Sequence, residues 1–407
     1  MSVPKPHVLE LAVRVYPIIA KSEPRSESPK KWRGPDAMVV LDTETRTDET
    51  QRLTFGCYRF FQDGQFSREY LIYADDLPEQ DRAVLEQYVA SHKADTADRR
   101  NSKIGLLSRT EFAKKFFNNV YRSRCLLVGF NLPFDLSRIA INFGDARGRY
   151  AGGFSLGLWS YRSNDGVERS STRRPRICIK HIDSRRAIKA FTSRYEPDRD
   201  DLIPEGSEDG EPEDKYIFRG HFLDLRTLAS ALTDESYSMG AACKAFGVEH
   251  GKQKVSVHGI VTEKYIDYNR GDVLATAEFA EKLLAEFAKH ELTLQPTKAY
   301  SPASIGKAYL RQMGIRPIVQ RQPDFPKEFL GYAESAFFGG RASAHIRKVI
   351  VPVVYTDFLS MYPTVNSLMG LWSFVVAREI RVVPACREEI LRLLSQVGRD
   401  TLFDPVT

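Results

Sequence analysis

Two acidic side chains stand where an apolar run ends near the start of the chain. Asp42 and Glu44 follow residues 37–41, which are apolar throughout. Side chains two apart on a strand point to the same face, so both carboxylates should project together from the strand's C-terminal end. Carboxylate oxygens are the ligands that Mg²⁺ prefers. The pair therefore indicates a metal site, although a solvated strand end is an alternative.

A third carboxylate follows a second apolar run. Residues 125–130 have the length and composition of a buried strand, and Asn131, Phe134 and Asp135 come after it. Sites in parallel or mixed sheets usually lie at strand ends, so Asp135 should arrive beside the first pair. A turn followed by an Asp helix cap is the alternative.

Tyr268 and Asp272 lie on a predicted helix. Residues 262–290 carry apolar side chains at helical spacing. Positions four apart share a helix face, so the phenol and the fourth carboxylate should point into one cleft. A surface pair of Tyr and Asp is the alternative. Together, D-x-E, N-x-x-F-D and Y-x-x-x-D stand on the elements that a two-metal site needs.

The elements around these residues predict an α/β domain. Residues 37–41, 53–61 and 70–73 have the pattern of strands, and Asp63 with Gly64 is a hairpin turn signal between the last two. A helix-prone stretch, the second apolar strand and a further helix follow. The domain thus opens on a meander of strands and continues with alternating helices and strands.

The chain divides into three predicted parts. Residues 1–36 form an N-terminal extension and linker, residues 37–298 form the α/β domain, and residues 299–407 begin a second domain. Residues 161–219 interrupt the α/β pattern with an Arg-rich stretch, a hairpin at 177–191 and an acidic loop, so we interpret them as an insertion.

A second candidate site lies in the C-terminal part. Residues 349–356 are an apolar run that predicts a strand, after which Asp357, Ser360 and Tyr362 precede a predicted helix. An acid at a strand end is again a potential metal ligand. A buried strand followed by a capped helix is the alternative.

Paired glycines precede this run. Gly339 and Gly340, followed by Arg341, would let backbone amides and a guanidinium approach phosphate groups closely. A plain glycine turn is the alternative. The formal net charge of +6 permits a polyanionic partner without requiring one.

Composition favours a folded protein in a reducing compartment. The 407 residues are 42% hydrophobic and 28% charged, unlike a disordered or fibrous chain. The five cysteines are scattered singly, so neither a zinc site nor a disulfide network is indicated. Glu10 and Arg14 interrupt the only apolar stretch near the start, which excludes a signal peptide, and no run is long enough to span a bilayer. We expect an intracellular protein, cytoplasmic or associated with the nucleoid, without a membrane partner.

The three spaced motifs resemble the proofreading exonuclease of family B DNA polymerases, which has an RNase H-like fold. The resemblance implies a 3′→5′ exonuclease that acts on single-stranded DNA ends with two Mg²⁺ ions, for which Mn²⁺ is a possible substitute. The tyrosine would orient the attacking water. The implied catalytic residues are Asp42, Glu44, Asp135, Tyr268 and Asp272, and all four acids are implied metal ligands.

The same resemblance extends to neighbouring residues. Asn131 and Phe134 are implied to contact DNA. Residues 222–228 resemble the last core strand of that domain, in which we interpret Asp224 as structural.

Residues 357–363 resemble motif A of family B polymerases, D-x-x-S-L-Y-P, with Met361 in place of leucine. The resemblance implies that Asp357 binds the polymerase metals and that Ser360 and Tyr362 contact the incoming nucleotide. An exchange of leucine for methionine should be harmless.

The glycine pair resembles the Y-x-G-G loop between the exonuclease and polymerase domains, with Phe338 in place of tyrosine. On this resemblance Gly339, Gly340 and Arg341 contact DNA. Two later polymerase motifs, K-x-x-x-N-S-x-Y-G and D-T-D, do not occur.

The resemblance as a whole implies an RNase H-like α/β exonuclease domain with a mixed sheet, followed by an incomplete α+β polymerase palm. We expect the N-terminal portion of a family B DNA-directed DNA polymerase, cut inside a domain, in which only the exonuclease is active. Its partners would be single-stranded 3′ ends and primer-template DNA. The sequence identifies no accessory replication protein.

Two alternatives stay open. One is a stand-alone 3′→5′ exonuclease that keeps a palm remnant as a DNA-docking surface. The other is a non-catalytic DNA-binding scaffold that uses the Arg-rich residues 162–194 to contact phosphates. That stretch is equally compatible with an ordinary solvated surface.

Overall fold

The chain divides into two compact units. One unit is Pro29–Tyr309, and the other combines Met1–Ser28 with Leu310–Thr407. The computed structural model describes residues 13–19, 32–96, 102–163, 168–171, 174–192, 218–251, 258–335, 345–358, 360–398 and 401.

The described ranges contain both strands and helices. The strands there are β1 (Val13–Ile18), β2 (Ala37–Thr45), β3 (Leu53–Gln62), β4 (Gln65–Tyr73), β5 (Gly105–Ser108), β6 (Leu126–Gly129), β7 (Asn142–Asp145), β8 (Phe154–Gly157), β9 (Ser160–Arg162), β10 (Glu168–Ser170), β11 (Ile177–His181), β12 (Ala187–Phe191), β13 (His221–Asp224) and β14 (Glu379–Pro384). The α-helices there are α1 (Glu79–Ser91), α2 (Arg109–Phe116), α3 (Leu132–Ile139), α4 (Leu225–Thr233), α5 (Met239–Ala245), α6 (Glu263–Ala288), α7 (Pro302–Gln312), α8 (Ile318–Arg321), α9 (Lys327–Ser335), α10 (Met361–Leu368), α11 (Trp372–Val376) and α12 (Arg387–Gln396). None of these helices combines the length and apolarity needed to cross a membrane.

A six-stranded mixed sheet, ordered β13-β6-β2-β3-β4-β5, organises the larger unit. β2, β3 and β4 form the predicted antiparallel meander. Its second turn has positive φ at both Asp63 and Gly64, the backbone that a two-residue hairpin loop of this type requires. β6 and β13 then add in parallel beside β2. The predicted α/β class is therefore confirmed.

Both faces of this sheet are buried. In β2, Val40 belongs to the apolar cluster that includes α6, whereas Val39 and Leu41 pack with α2 and α3 on the opposite face. This explains why residues 37–41 form a continuous apolar run instead of alternating with polar residues.

A second sheet, ordered β12-β11-β8-β7, lies within the predicted insertion and the residues before it. The hairpin of β11 and β12 pairs Ile177 with Phe191, which confirms the predicted hairpin. The sheet begins at Asn142, however, and so includes residues before the predicted insertion boundary at 161. The two earlier strands were missed because each has only four residues.

The smaller unit joins distant parts of the chain. β1 pairs antiparallel with β14, from Val13 opposite Pro384 to Ile18 opposite Glu379. The predicted division falls at residues 36 and 298, whereas the two compact units meet at residues 28–29 and 309–310. A pairing between segments so far apart leaves no local signal in the sequence.

One strand prediction in this unit is wrong. Residues 349–356 form no regular secondary structure, and Tyr355 is 90% exposed. No described strand pairs with them, and an isolated strand would leave its backbone groups without partners. The helix predicted after this segment does form, as α10.

A buried ion network ties α6 to the sheet. Glu69 on β4 is fully buried, and it accepts hydrogen bonds from Arg59 on β3 at 3.3 Å and from Arg270 on α6 at 2.8 Å. Arg270 also donates to the Tyr88 hydroxyl on α1 at 2.7 Å. Because buried ions require well-placed partners, this network restricts the rotation of α6 about its axis.

We predict that Glu69→Ala lowers the free energy of unfolding by about 3 kcal/mol or more, because two guanidinium groups lose their buried partner. Glu86→Ala is the matched control, since Glu86 forms a solvent-exposed pair with Arg82. It should cost at most about 0.5 kcal/mol. Urea unfolding measures both values, and equal losses would contradict the assigned role of Glu69.

Candidate active site

The C-terminal ends of β2, β6 and β13 lie side by side, because the three strands are parallel neighbours. Asp42 and Glu44 lie in the last part of β2, Asn131 follows β6, and Asp224 ends β13. The sheet therefore gathers the predicted polar residues along one edge, as in other α/β proteins. We call this row the carboxyl edge.

Asp42 and Glu44 face α6. The side-chain amide of Asn269 donates to Asp42 Oδ2 at 2.6 Å and to Glu44 Oε1 at 3.3 Å. The Tyr265 hydroxyl donates to Glu44 Oε2 at 2.5 Å. Burial and the bond to Glu44 raise the pKa of this tyrosine, so its hydroxyl keeps its proton and remains a donor.

Asp135 is held by the residue between the two acids. Its Oδ1 accepts from the Thr43 backbone amide at 3.1 Å and from the Thr43 hydroxyl at 2.7 Å. β6 pairs with β2 only as far as Val40, so this amide lies beyond the end of the ladder and is available. Burial raises the pKa of Asp135 to about 7, and the nearby Asp224 carboxylate acts in the same direction.

Asp224 supports the same edge. It caps α4 by accepting from the Arg226 amide at 3.1 Å and forms a buried ion pair with Lys189 at 2.9 Å. It also accepts from the Asn131 amide at 3.3 Å, at a residue with a left-handed φ of 70°. These contacts suit the structural role that we predicted for Asp224.

Tyr268 and Asp272 are buried on α6, one turn apart, as predicted. The Tyr268 ring lies 6.0 Å from the Tyr265 ring, centroid to centroid. Asp272 follows Asn269 by three residues, so it continues the helix face that meets Asp42.

Among the described residues, no group of three or more His, Cys, Asp or Glu side chains is arranged to hold a metal ion. The donor set itself suits Mg²⁺, because every predicted ligand is a carboxylate oxygen. In the structure the Asn269 amide stands between Asp42 and Glu44. The binding of two ions by four carboxylates therefore stays a prediction.

The sequence analysis missed three residues that contact the predicted acids: Thr43, Tyr265 and Asn269. The spacing of Tyr265 and Asn269, one helical turn, was a usable signal. A further missed residue is Gly56, where a Cβ would lie 2.7 Å from the Asp42 carbonyl oxygen. A glycine inside an otherwise apolar strand often marks such a close backbone approach.

The predicted polymerase residues lie in the other unit. Asp357, Ser360 and Tyr362 are exposed, and Ser360 has a left-handed φ of 55° directly before α10. Residues 337–341, which include the predicted DNA contacts Gly339, Gly340 and Arg341, lie outside the described residues.

Several arginines of the Arg-rich stretch bind groups of the protein itself. Arg176 donates to Ser155 and to Asn142, each at 2.8 Å. Arg174 lies 4.4 Å from the Phe117 ring centroid, and Arg185 donates to the Asp234 carbonyl at 2.7 Å. These side chains therefore stabilise the second sheet and its surroundings.

Comparisons with protein-family models, with curated proteins and with solved structures find no match to the chain. The functional argument consequently depends on the residues of the carboxyl edge and on the motif resemblance.

We predict that the free energy of unfolding of the wild type, relative to that of Asp135→Asn, decreases as the pH rises from about 4 to about 7 in EDTA. The folded pKa of about 7 exceeds the ordinary value of 3.8, so the native state binds more protons than the unfolded chain in that window. The stabilisation is complete below pH 3.8 and is lost as the pH rises through 7.

Thermal unfolding at a series of pH values measures this difference. Since the asparagine can still accept from Thr43, the variant serves as a non-titrating reference. A difference in melting temperature that stays constant from pH 4 to pH 8 would contradict the raised pKa.

Proposed function

We propose that the carboxyl edge is the active site of a metal-dependent 3′→5′ exonuclease that acts on single-stranded DNA ends. The observation that carries the proposal is that Asp42 and Glu44 lie at the end of β2 and that Asp135 accepts two hydrogen bonds from Thr43, the residue between them. Asp135 is buried, and burying a carboxylate is costly unless hydrogen-bond donors or cations surround it. Acids with a pKa perturbed by burial are typical of functional sites.

The proposed domain is RNase H-like. A mixed sheet that opens on an antiparallel meander and continues with two parallel strands supports this assignment. α6 covers the sheet at β2 and carries both Tyr268 and Asp272, which is where the proposal requires the third motif.

The proposed ligands of two Mg²⁺ ions, or of Mn²⁺ in their place, are Asp42, Glu44, Asp135 and Asp272. Bound there, the ions would supply a nucleophilic hydroxide at neutral pH and offset charge on the scissile phosphate. Thr43 orients Asp135 through two hydrogen bonds. Tyr268 would orient the attacking water, and Asn131 and Phe134 would contact the DNA strand.

We further propose that the chain is the N-terminal portion of a family B DNA polymerase, with primer-template DNA as the second partner. The support is the motif A resemblance at Asp357, Ser360 and Tyr362 in the sequence. The scaffold alternative gains no support, because Arg174, Arg176 and Arg185 already bind groups within the protein.

We expect the purified chain with Mg²⁺ to shorten a single-stranded DNA labelled at its 5′ end, and EDTA to stop the reaction. Asp42→Ala with Glu44→Ala should abolish shortening, because the ions lose two ligands. The matched control is Glu79→Ala with Asp81→Ala, an accessible acidic pair of the same spacing on α1. Gel electrophoresis of timed samples gives the rates. No shortening by the wild type, or full activity of the site variant, rejects the nuclease assignment.

Replacing Tyr268 by Phe should lower the cleavage rate about a hundredfold, the scale of losing one group that positions a proton-transferring water. Tyr237→Phe, on the same side of the sheet, should leave the rate unchanged. Single-turnover measurements separate this effect from DNA binding. Equal rates for both variants would remove Tyr268 from the mechanism.

A further inference from the structure

Donors from α6 occupy the carboxylate oxygens of the D-x-E pair. The Asn269 amide nitrogen lies 2.6 Å from Asp42 Oδ2 and 3.3 Å from Glu44 Oε1. The Tyr265 hydroxyl donates a hydrogen bond to Glu44 Oε2 at 2.5 Å. Three of the four oxygens of the two acids therefore accept hydrogen bonds from one helix.

We propose that the Asn269 amide is an internal substitute for a cation, which a divalent ion must displace to bind Asp42 and Glu44. Asn269 thereby sets the metal affinity of the site. This inference rests on the proposed function, since it assigns a metal to the same acids.

Distances support the displacement. A magnesium ion lies about 2.0–2.1 Å from its carboxylate oxygens. Asp42 and Glu44 would hold the ion, and the Asn269 amide nitrogen now lies within hydrogen-bond distance of both carboxylates. The amide hydrogens carry partial positive charge, so they stabilise the two neighbouring carboxylates but repel a cation.

The hydrogen bonds of the Asn269 side chain go to the two acids. The residue is fully buried, and its Oδ1 has no hydrogen-bond partner among the described residues. The amide's hydrogen bonds within that part of the chain are the two to Asp42 and Glu44. When a cation competes for these oxygens, no further hydrogen bond of the amide opposes its rotation.

The ion network below the site keeps the donors in position. Arg270, the next residue on α6, pairs with Glu69 at 2.8 Å. Because this pair restricts the rotation of the helix, Asn269 stays opposite Asp42 while only its side chain moves. Asn269 is accordingly a positioning residue that acts through the metal ligands.

The test measures Mg²⁺ and Mn²⁺ binding to the full chain by calorimetry at pH 8, after dialysis against EDTA and then into chelator-free buffer. In Asn269→Leu the volume is kept and the donors are lost, so the Kd should fall about tenfold, equivalent to about 1.4 kcal/mol. Thr276→Val removes a buried hydroxyl from the same helix and should leave the Kd unchanged.

Thermal unfolding adds a readout that does not depend on activity. Without divalent ions Asn269→Leu should melt below the wild type, because the carboxylates lose their donors. Saturating Mg²⁺ should then raise its melting temperature by more than that of the wild type, since binding to the folded state adds stability. If Asn269→Leu does not fold, Tyr265→Phe removes the other donor and should tighten binding in the same direction.

The outcomes separate the inference from the proposed function. Suppose the wild type binds the metal and the Kd of Asn269→Leu is equal to or higher than the wild-type Kd. That result overturns the inference and leaves the exonuclease proposal intact. The same comparison applies to Tyr265→Phe if only that variant folds. Absence of binding in the wild type and in the variants overturns both.

Discussion

The position of α6 against the sheet is the constraint on which the candidate site depends. Glu69, fully buried beneath the helix, pairs with Arg59 and Arg270 and so determines which side of α6 meets β2. Apolar packing alone would allow the helix to slide or turn, because apolar contacts are non-directional. The charged pairs have fixed partners, and with them Asn269 and Tyr265 arrive opposite Asp42 and Glu44.

Electrostatic balance at the carboxyl edge follows from this placement. Acidic groups that lie near one another need donors or cations, and the protein supplies both kinds. Lys189 neutralises Asp224, Thr43 donates twice to Asp135, and α6 donates to the remaining pair. Burial raises the pKa of Asp135 to about 7 in spite of its two hydrogen bonds from Thr43, so the charge of this carboxyl group changes with pH near neutrality.

The two units differ in how far the structure explains their motifs. In the larger unit the D-x-E motif lies on β2, the N-x-x-F-D motif at the start of α3 and the Y-x-x-x-D motif on α6. Both helices pack against β2. In the smaller unit the segment before Asp357 is exposed and apolar, although its sequence is that of a buried strand. The pairing of β1 with β14 shows that strands of this unit find partners far away in the chain. The support for the motif A resemblance is thus the sequence pattern at Asp357, Ser360 and Tyr362.

The sequence by itself determined the strands of the meander, the hairpin at Asp63 and Gly64, and the long helix α6, because side-chain periodicity and turn chemistry are local. The sequence also pointed to Asp42, Glu44, Asp135 and Asp272 as candidate metal ligands. Only the tertiary structure decided which donors meet them, since Tyr265 and Glu44 are 221 residues apart and Asn269 and Asp42 are 227 apart. Such contacts depend on strand register and helix rotation, which arise from the packing of the whole unit and leave no pattern in neighbouring residues.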